Sequence, residues 1–238
     1  MNFEVIADNW RYILFGTYPD GPLEGAALTL LISLLAGSIS IILGIFIGIL
    51  LTILRSVWVN LLAVFLCFLK SIPVILLIFW SYFLLPTLLG TDIPELITVI
   101  VVLSLISAAY LAYVVKAGIA AISQGQWQAG MSLGFTMFEV LWNIILPQVL
   151  LMMVPSFINQ LIALIKDTSL AYIVGLAELS FLAAQVNNRE MIYSMEIFLF
   201  VAFIYFVMCF SLEIIANYIL RNFKKNRFFL DVLSVQLN

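Results

Sequence analysis

Five stretches of this chain are apolar over lengths that match the thickness of a bilayer, and no other property of the sequence limits the fold as much. A helix crosses the hydrocarbon core with about 20 consecutive apolar residues. The first block runs from about Ala26 to Leu54 without a charge and ends at Arg55. The second runs from about Val57 to Leu89, interrupted by Lys70 and Pro73. The third spans about Leu96 to Ile122, with Lys116 near its end, and the fourth, about Ile144 to Ile165, contains Pro147 and Pro155. The fifth covers about Ile197 to Leu220. Of 238 residues, 65% are hydrophobic and 10% charged, against roughly 45–50% and about 25% in soluble domains. Lipid is therefore the solvent for much of the surface, and the predicted class is an all-α polytopic membrane protein of about five transmembrane helices.

Composition also removes several function classes. Histidine is absent, so the commonest metal ligand and general base is missing, and neither a metal nor a cofactor is expected. Cys67 and Cys209 each lie inside an apolar run and read as packing residues rather than a disulfide. There is no basic face for nucleic acid, no nucleophile motif, and no G-x-x-x-x-G-K-[ST] loop for ATP, so no catalytic residue is assigned. The segment before the first block carries acids and no basic cluster, which is unlike a signal peptide, so the first span is expected to stay in the chain.

Lysine and arginine set orientation. With the N-terminus outside, Arg55, Lys116, Arg221, Lys224, Lys225 and Arg227 fall on the cytoplasmic side, while Arg11 and Arg189 fall outside. The division expected is a periplasmic segment at 1–25, a transmembrane domain at 26–220 with a cytoplasmic loop at 123–147, and a cytoplasmic tail at 221–238.

That loop, from Ser123 to Gln148, is the most informative part of the sequence. Gln126 to Leu133 suits a short helix that Gly134 can end in a left-handed turn. Thr136 and Glu139 have capping-box spacing for a second helix, with Phe135 and Val140 at the staple positions. Local physics thus predicts a helix–glycine–helix elbow, which by itself also describes an amphipathic connector resting on lipid.

The elbow resembles the EAA loop of ABC importer permeases: Gln128-Ala129-Gly130, then Gly134, then Ile144-Ile145-Leu146-Pro147, at the family's spacing. Gln128 stands for the usual Glu and Gly130 for the second Ala. Other segments resemble the polar amino acid subfamily: Gly25 to Leu30 its G-x-x-x-T-L opening, Lys70-Ser71-Ile72-Pro73 its R-S-I-P, and Lys166-Asp167-Thr168-Ser169-Leu170 its K-D-T-S-L. Ala108-Ala109-Tyr110 and Lys116 to Ile119 resemble a further segment, in which Tyr113 replaces a frequent Glu. The run from Ser169 to Leu179 looks most similar to glutamate/aspartate importer permeases. The resemblance implies a type I importer fold in the bacterial inner membrane. Its implied partners are a cytoplasmic ABC ATPase dimer, a second permease (identical or related) and an extracytoplasmic amino-acid-binding protein. It also implies that Gln126, Gln128, Ala129, Gly130, Gly134 and Pro147 belong to the ATPase-coupling loop.

Charges at membrane depth supply the candidates for the substrate route. Lys70 is costly in lipid unless it reaches water, a partner or the interface; it either snorkels or serves the route. Lys166 to Ser169 suggests a helix broken beside a cavity. The resemblance implies that this segment lines the route, with Asp167 facing a substrate ammonium group and Thr168 and Ser169 its carboxylate. A local Lys166–Asp167 arrangement that merely holds the break is the other reading. An ion-coupled secondary transporter of small polar solutes is the competing function, although such proteins usually carry more spans and internal repeats.

Overall fold

The computed structural model describes residues 4–54 and 57–225. Arg55 and Arg227, together with the side chains of Arg221, Lys224 and Lys225, all used above for orientation, lie outside what is described. The helices are α1 (Glu4–Phe15), α2 (Gly25–Ile53), α3 (Val57–Ser71), α4 (Val74–Leu89), α5 (Glu95–Ala121), α6 (Gln124–Ser132), α7 (Met137–Val140), α8 (Leu146–Asp167), α9 (Leu179–Glu190) and α10 (Ser194–Lys225). A π-helical turn at Leu141–Ile145 leads into α8, and a 3₁₀ segment at Thr168–Val174 follows it. Four helical stretches are long and apolar enough to span a membrane, and α3 with α4 makes a fifth, bent by 99°.

The core is organised around α5, whose most apolar window is 61% buried although no residue in it is a core aromatic. It packs most closely against α2, because glycines on α2 let its backbone approach Leu111, Ala112 and Val115 of α5. A Cβ at Gly48 would lie 2.7 Å from the Cβ of Val115 and 2.8 Å from the carbonyl oxygen of Ala112, and one at Gly44 would lie 2.6 Å from the Cβ of Leu111. In lipid, such close backbone approach replaces the hydrophobic effect as the source of helix adhesion, through dispersion contacts. Ile32, Ala36, Val99, Leu103 and Leu164 fill the core near the end of the bundle where α2 begins, and Leu111, Val115, Ile145 and Val149 fill it near the elbow.

The break in the second span has a local cause. Pro73 disfavours a helical backbone at Ile72 and starts α4 with φ −55° and ψ 132°. Each half then buries a single residue, Leu66 in α3 and Ile78 in α4.

Two helices depart from the sequence reading. The segment at 1–25 contains α1, which buries Val5 and Ile13, and α9 precedes the last span. Tyr12 of α1 donates its hydroxyl to Gln185 Oε1 of α9 at 2.6 Å, and the Arg189 guanidinium lies 5.3 Å from the centre of the same ring. The fourth span changes character where a break was expected: α8 ends at Asp167 and the chain tightens into the 3₁₀ segment, which closes at Gly175 with φ +82°.

Candidate functional site

The elbow forms as local signals predict. α6 ends at Ser132, and Gly134 follows with φ +89°, a conformation that side chains with a Cβ resist. Thr136 then caps α7: its Oγ1 accepts from the backbone N–H of Glu139 at 3.3 Å, while Glu139 Oε2 accepts from the Thr136 N–H at 2.8 Å. Val140 is buried and Phe135 stays exposed, so the two do not share a burial environment.

What holds the elbow against the bundle is a seat at Gly130. An added Cβ there would come within 2.7 Å of Val140 Cγ2 and 3.2 Å of Ile144 Cδ1. That contact explains why glycine stands where the resembling loops have alanine. Gln126 and Gln148 tie the same corner together, with Gln148 Nε2 donating to Gln126 Oε1 at 2.8 Å and to the Ile144 carbonyl at 2.8 Å. Gln128, Ala129 and Pro147 are exposed. So are Met131, Leu133, Phe135, Met137 and Phe138, an apolar set at an end of the bundle rather than on its flanks. An apolar groove beside them is lined by Thr52, Ile53, Leu54, Trp127, Phe138 and Leu141. Among the residues expected to form the coupling loop, Gln126 and Gly130 therefore brace the elbow, and Gln128 and Ala129 are exposed.

The candidates for the route do not converge on one spot. Lys70 ends α3, with its ammonium over the aromatic rings of α5. Asp167 is at the far end of α8 from the elbow. Thr168 is fully buried and donates to the Ile165 carbonyl at 2.7 Å, and Ser169 donates to the Lys166 carbonyl at 2.7 Å, so both hydroxyls turn back onto their own helix. Nearer the middle of the bundle, Gln160 Nε2 on α8 donates to Ser107 Oγ on α5 at 3.2 Å. The sequence reading passed over this pair because neither residue carries a charge.

It also passed over Glu178. This residue lies between the spans that end at Val174 and begin at Ser194, and it is fully buried. Its carboxylate caps α9, accepting from the N–H groups of Ser180 and Phe181 at 2.9 Å each and from the Tyr205 hydroxyl at 3.2 Å. Burial nevertheless dominates and pushes its carboxyl up to about 7. The same corner explains the Gly25–Thr29 spacing. Gly25, at φ +65°, donates its N–H to the Ala177 carbonyl at 2.8 Å, and Thr29 Oγ1 accepts from the Leu179 N–H at 3.2 Å.

Known proteins resemble this chain in sequence and in overall fold. Residues 21–225 match the family described as "Binding-protein-dependent transport system inner membrane component". The chain is 35% identical over 159 residues to the glutamate/aspartate import permease protein GltK of Escherichia coli O157:H7, covering 64% of this chain and 70% of the relative. It is 36% identical to the inner membrane amino-acid ABC transporter permease protein YhdY of Escherichia coli K12, over 69% of this chain but 46% of that relative's length. Further relatives from Bacillus subtilis carry the names of glutamine, arginine and cystine transport permeases. Among solved structures, an amino acid ABC transporter crystallised with histidines superposes with a TM-score of 0.75 at 26% identity, covering 83% of this chain and 92% of that one. Taken with the apolar spans and the exposed helix–glycine–helix elbow, these matches place the chain in the family of inner-membrane permease subunits of ABC amino acid importers, transport components rather than enzymes.

Proposed function

We propose that this chain translocates acidic amino acids, glutamate or aspartate, and that the elbow at 123–147 couples its spans to a cytoplasmic ABC ATPase dimer. The observation that carries the coupling reading is the elbow itself: five large apolar side chains are exposed on a motif braced from behind by Gly130 and Gln148. An element that merely connected two helices would have no need of so rigid a seat for so apolar a tip. Family membership favours ATP over the ion-coupled alternative as the energy source, with a separate ABC ATPase subunit supplying it in this reading.

Acidic cargo is supported by the relative named for glutamate and aspartate and by the Lys70-Ser71-Ile72-Pro73 and Ser169 to Leu179 runs. The reading includes a second permease, identical or related, an extracytoplasmic binding protein, and an N-out, C-in orientation with a periplasmic segment at 1–25 and a tail at 221–238. Asp167, Thr168 and Ser169 are proposed to border the route at the end of α8 away from the elbow. Uptake of labelled glutamate by the reconstituted complex tests the cargo: aspartate should compete best, and stronger competition by arginine or glutamine overturns the acidic assignment. A reporter fused after Asn238 tests the orientation, which fails if the reporter is active only in the periplasm.

A further inference from the structure

Lys70 occupies the last turn of α3, directly before the 99° bend. Its Nζ lies 3.8 Å from the centre of the Tyr113 ring and 5.6 Å from that of Tyr110, both on α5. The Tyr113 hydroxyl donates to the Ala63 carbonyl of α3 at 3.4 Å, so the ring that faces the ammonium also ties the two helices together. No carboxylate pairs with Lys70 among the described residues. Both tyrosines lie just past the midpoint of α5, and from Tyr113 to the end of that helix at Ala121 is about 12 Å of rise. The ammonium is thus held inward rather than stretched along the helix toward a lipid headgroup.

An aromatic face attracts a cation without neutralising it and leaves the ammonium N–H groups available to an acceptor. Keeping an unneutralised charge at this depth is costly, and such residues mark pathways more often than packing. Tyr110 is 44% exposed, so the cradle is open on one side. We propose that Lys70, presented by Tyr113 and Tyr110, makes the translocation route discriminate by charge, receiving the side-chain carboxylate of an acidic amino acid. The assignment rests on the acidic-cargo reading above and gives it a residue. Every amino acid brings an α-carboxylate; a fixed cation reserved for a second one separates glutamate from glutamine, which has nearly the same shape.

Isothermal titration of the purified permease–ATPase complex, without the binding protein, with L-glutamate and with L-glutamine reads this directly. The wild type should favour glutamate by about tenfold or more. Lys70→Met should remove about tenfold of that preference, and so should Tyr113→Glu, which gives Lys70 a partner within the chain. Lys70→Arg should retain it. Two variants of opposite chemistry guard against a loss that reflects misfolding alone. An unchanged preference in both Lys70→Met and Tyr113→Glu, or no binding of either amino acid to any of the proteins, overturns the assignment. A wild type that prefers glutamine, with glutamate weakened further in Lys70→Met, would reject acidic cargo and leave the charge-reading role of Lys70 intact.

Discussion

The seam between α2 and α5 and the bent span formed by α3 and α4 are built from similarly apolar sequence, yet they behave as opposites. Gly44 and Gly48 let two backbones approach until no Cβ fits between them. Across the bundle, α3 and α4 bury one residue apiece and expose Trp58, Phe65, Phe68, Phe79 and Phe83. Hydropathy cannot separate the two, because lipid and protein interior are equally apolar. What separates them is side-chain size along one face: small residues permit adhesion and large ones do not. One region is a frame; the other is an arm attached at its bend.

The contrast is open to attack by mutation. The largest effect should come from Gly48→Leu, which forces a branched side chain into the space held by Val115 and the Ala112 carbonyl. A cost of about 3 kcal/mol is expected, read as loss of monodisperse protein in detergent; a normal yield would show that the seam is not the frame.

A smaller effect belongs to Glu178. Its carboxyl is raised to about 7 from an ordinary value of 4.5. Stability from this group is therefore fully present below about 4.5 and is lost as pH rises through about 7. The melting temperature should fall between pH 5 and pH 8, corresponding to roughly 2–3 kcal/mol. Glu178→Gln should flatten that slope, and an equal slope in the variant would assign the pH dependence elsewhere.

Gly134→Val comes next. The φ of +89° makes a β-branched residue cost on the order of 1 kcal/mol locally, little against the whole bundle, so membrane insertion should be near normal. Copurification of the ATPase should weaken and substrate-stimulated ATP hydrolysis should be lost. Normal stimulated hydrolysis would reduce the elbow to a passive connector.

Smallest of all should be Phe68→Ala, at a side chain 58% exposed on α3. A change of under about 0.5 kcal/mol is expected if lipid is its only neighbour. A loss as large as that at Gly48 would mean that α3 is covered by another subunit in the complex, and it would sharpen the comparison into one between an internal and an external interface.

How much of this could be read beforehand depended on whether the cause was local. The turn at Gly134, the Thr136–Glu139 cap and the Pro73 break each follow from a few neighbouring residues, and each stands where the sequence put it. α1 and α9 escaped notice because both are short and mixed in polarity, and they depend on packing against partners far along the chain, as the Tyr12–Gln185 bond does. Lys166 to Ser169 reads as a helix break because its side chains are polar, and the α-helix does end there. What the polar run does not reveal is that Thr168 and Ser169 satisfy their hydroxyls on carbonyls one turn back. Glu178 escaped notice, since burial is a property of the assembled corner rather than of the residue.

The seat at Gly130 has a mechanical consequence. Val140 and Ile144 fill it, the Gln126–Gln148 bond locks it, and α8 continues from it for 22 residues to Asp167. Elbow and helix are thus one crank, about 33 Å from pivot to tip. A tilt of only about 5° imparted at the elbow swings the tip sideways by roughly 3 Å, comparable to a hydrogen-bond length, at the end of the bundle opposite the one that was pushed.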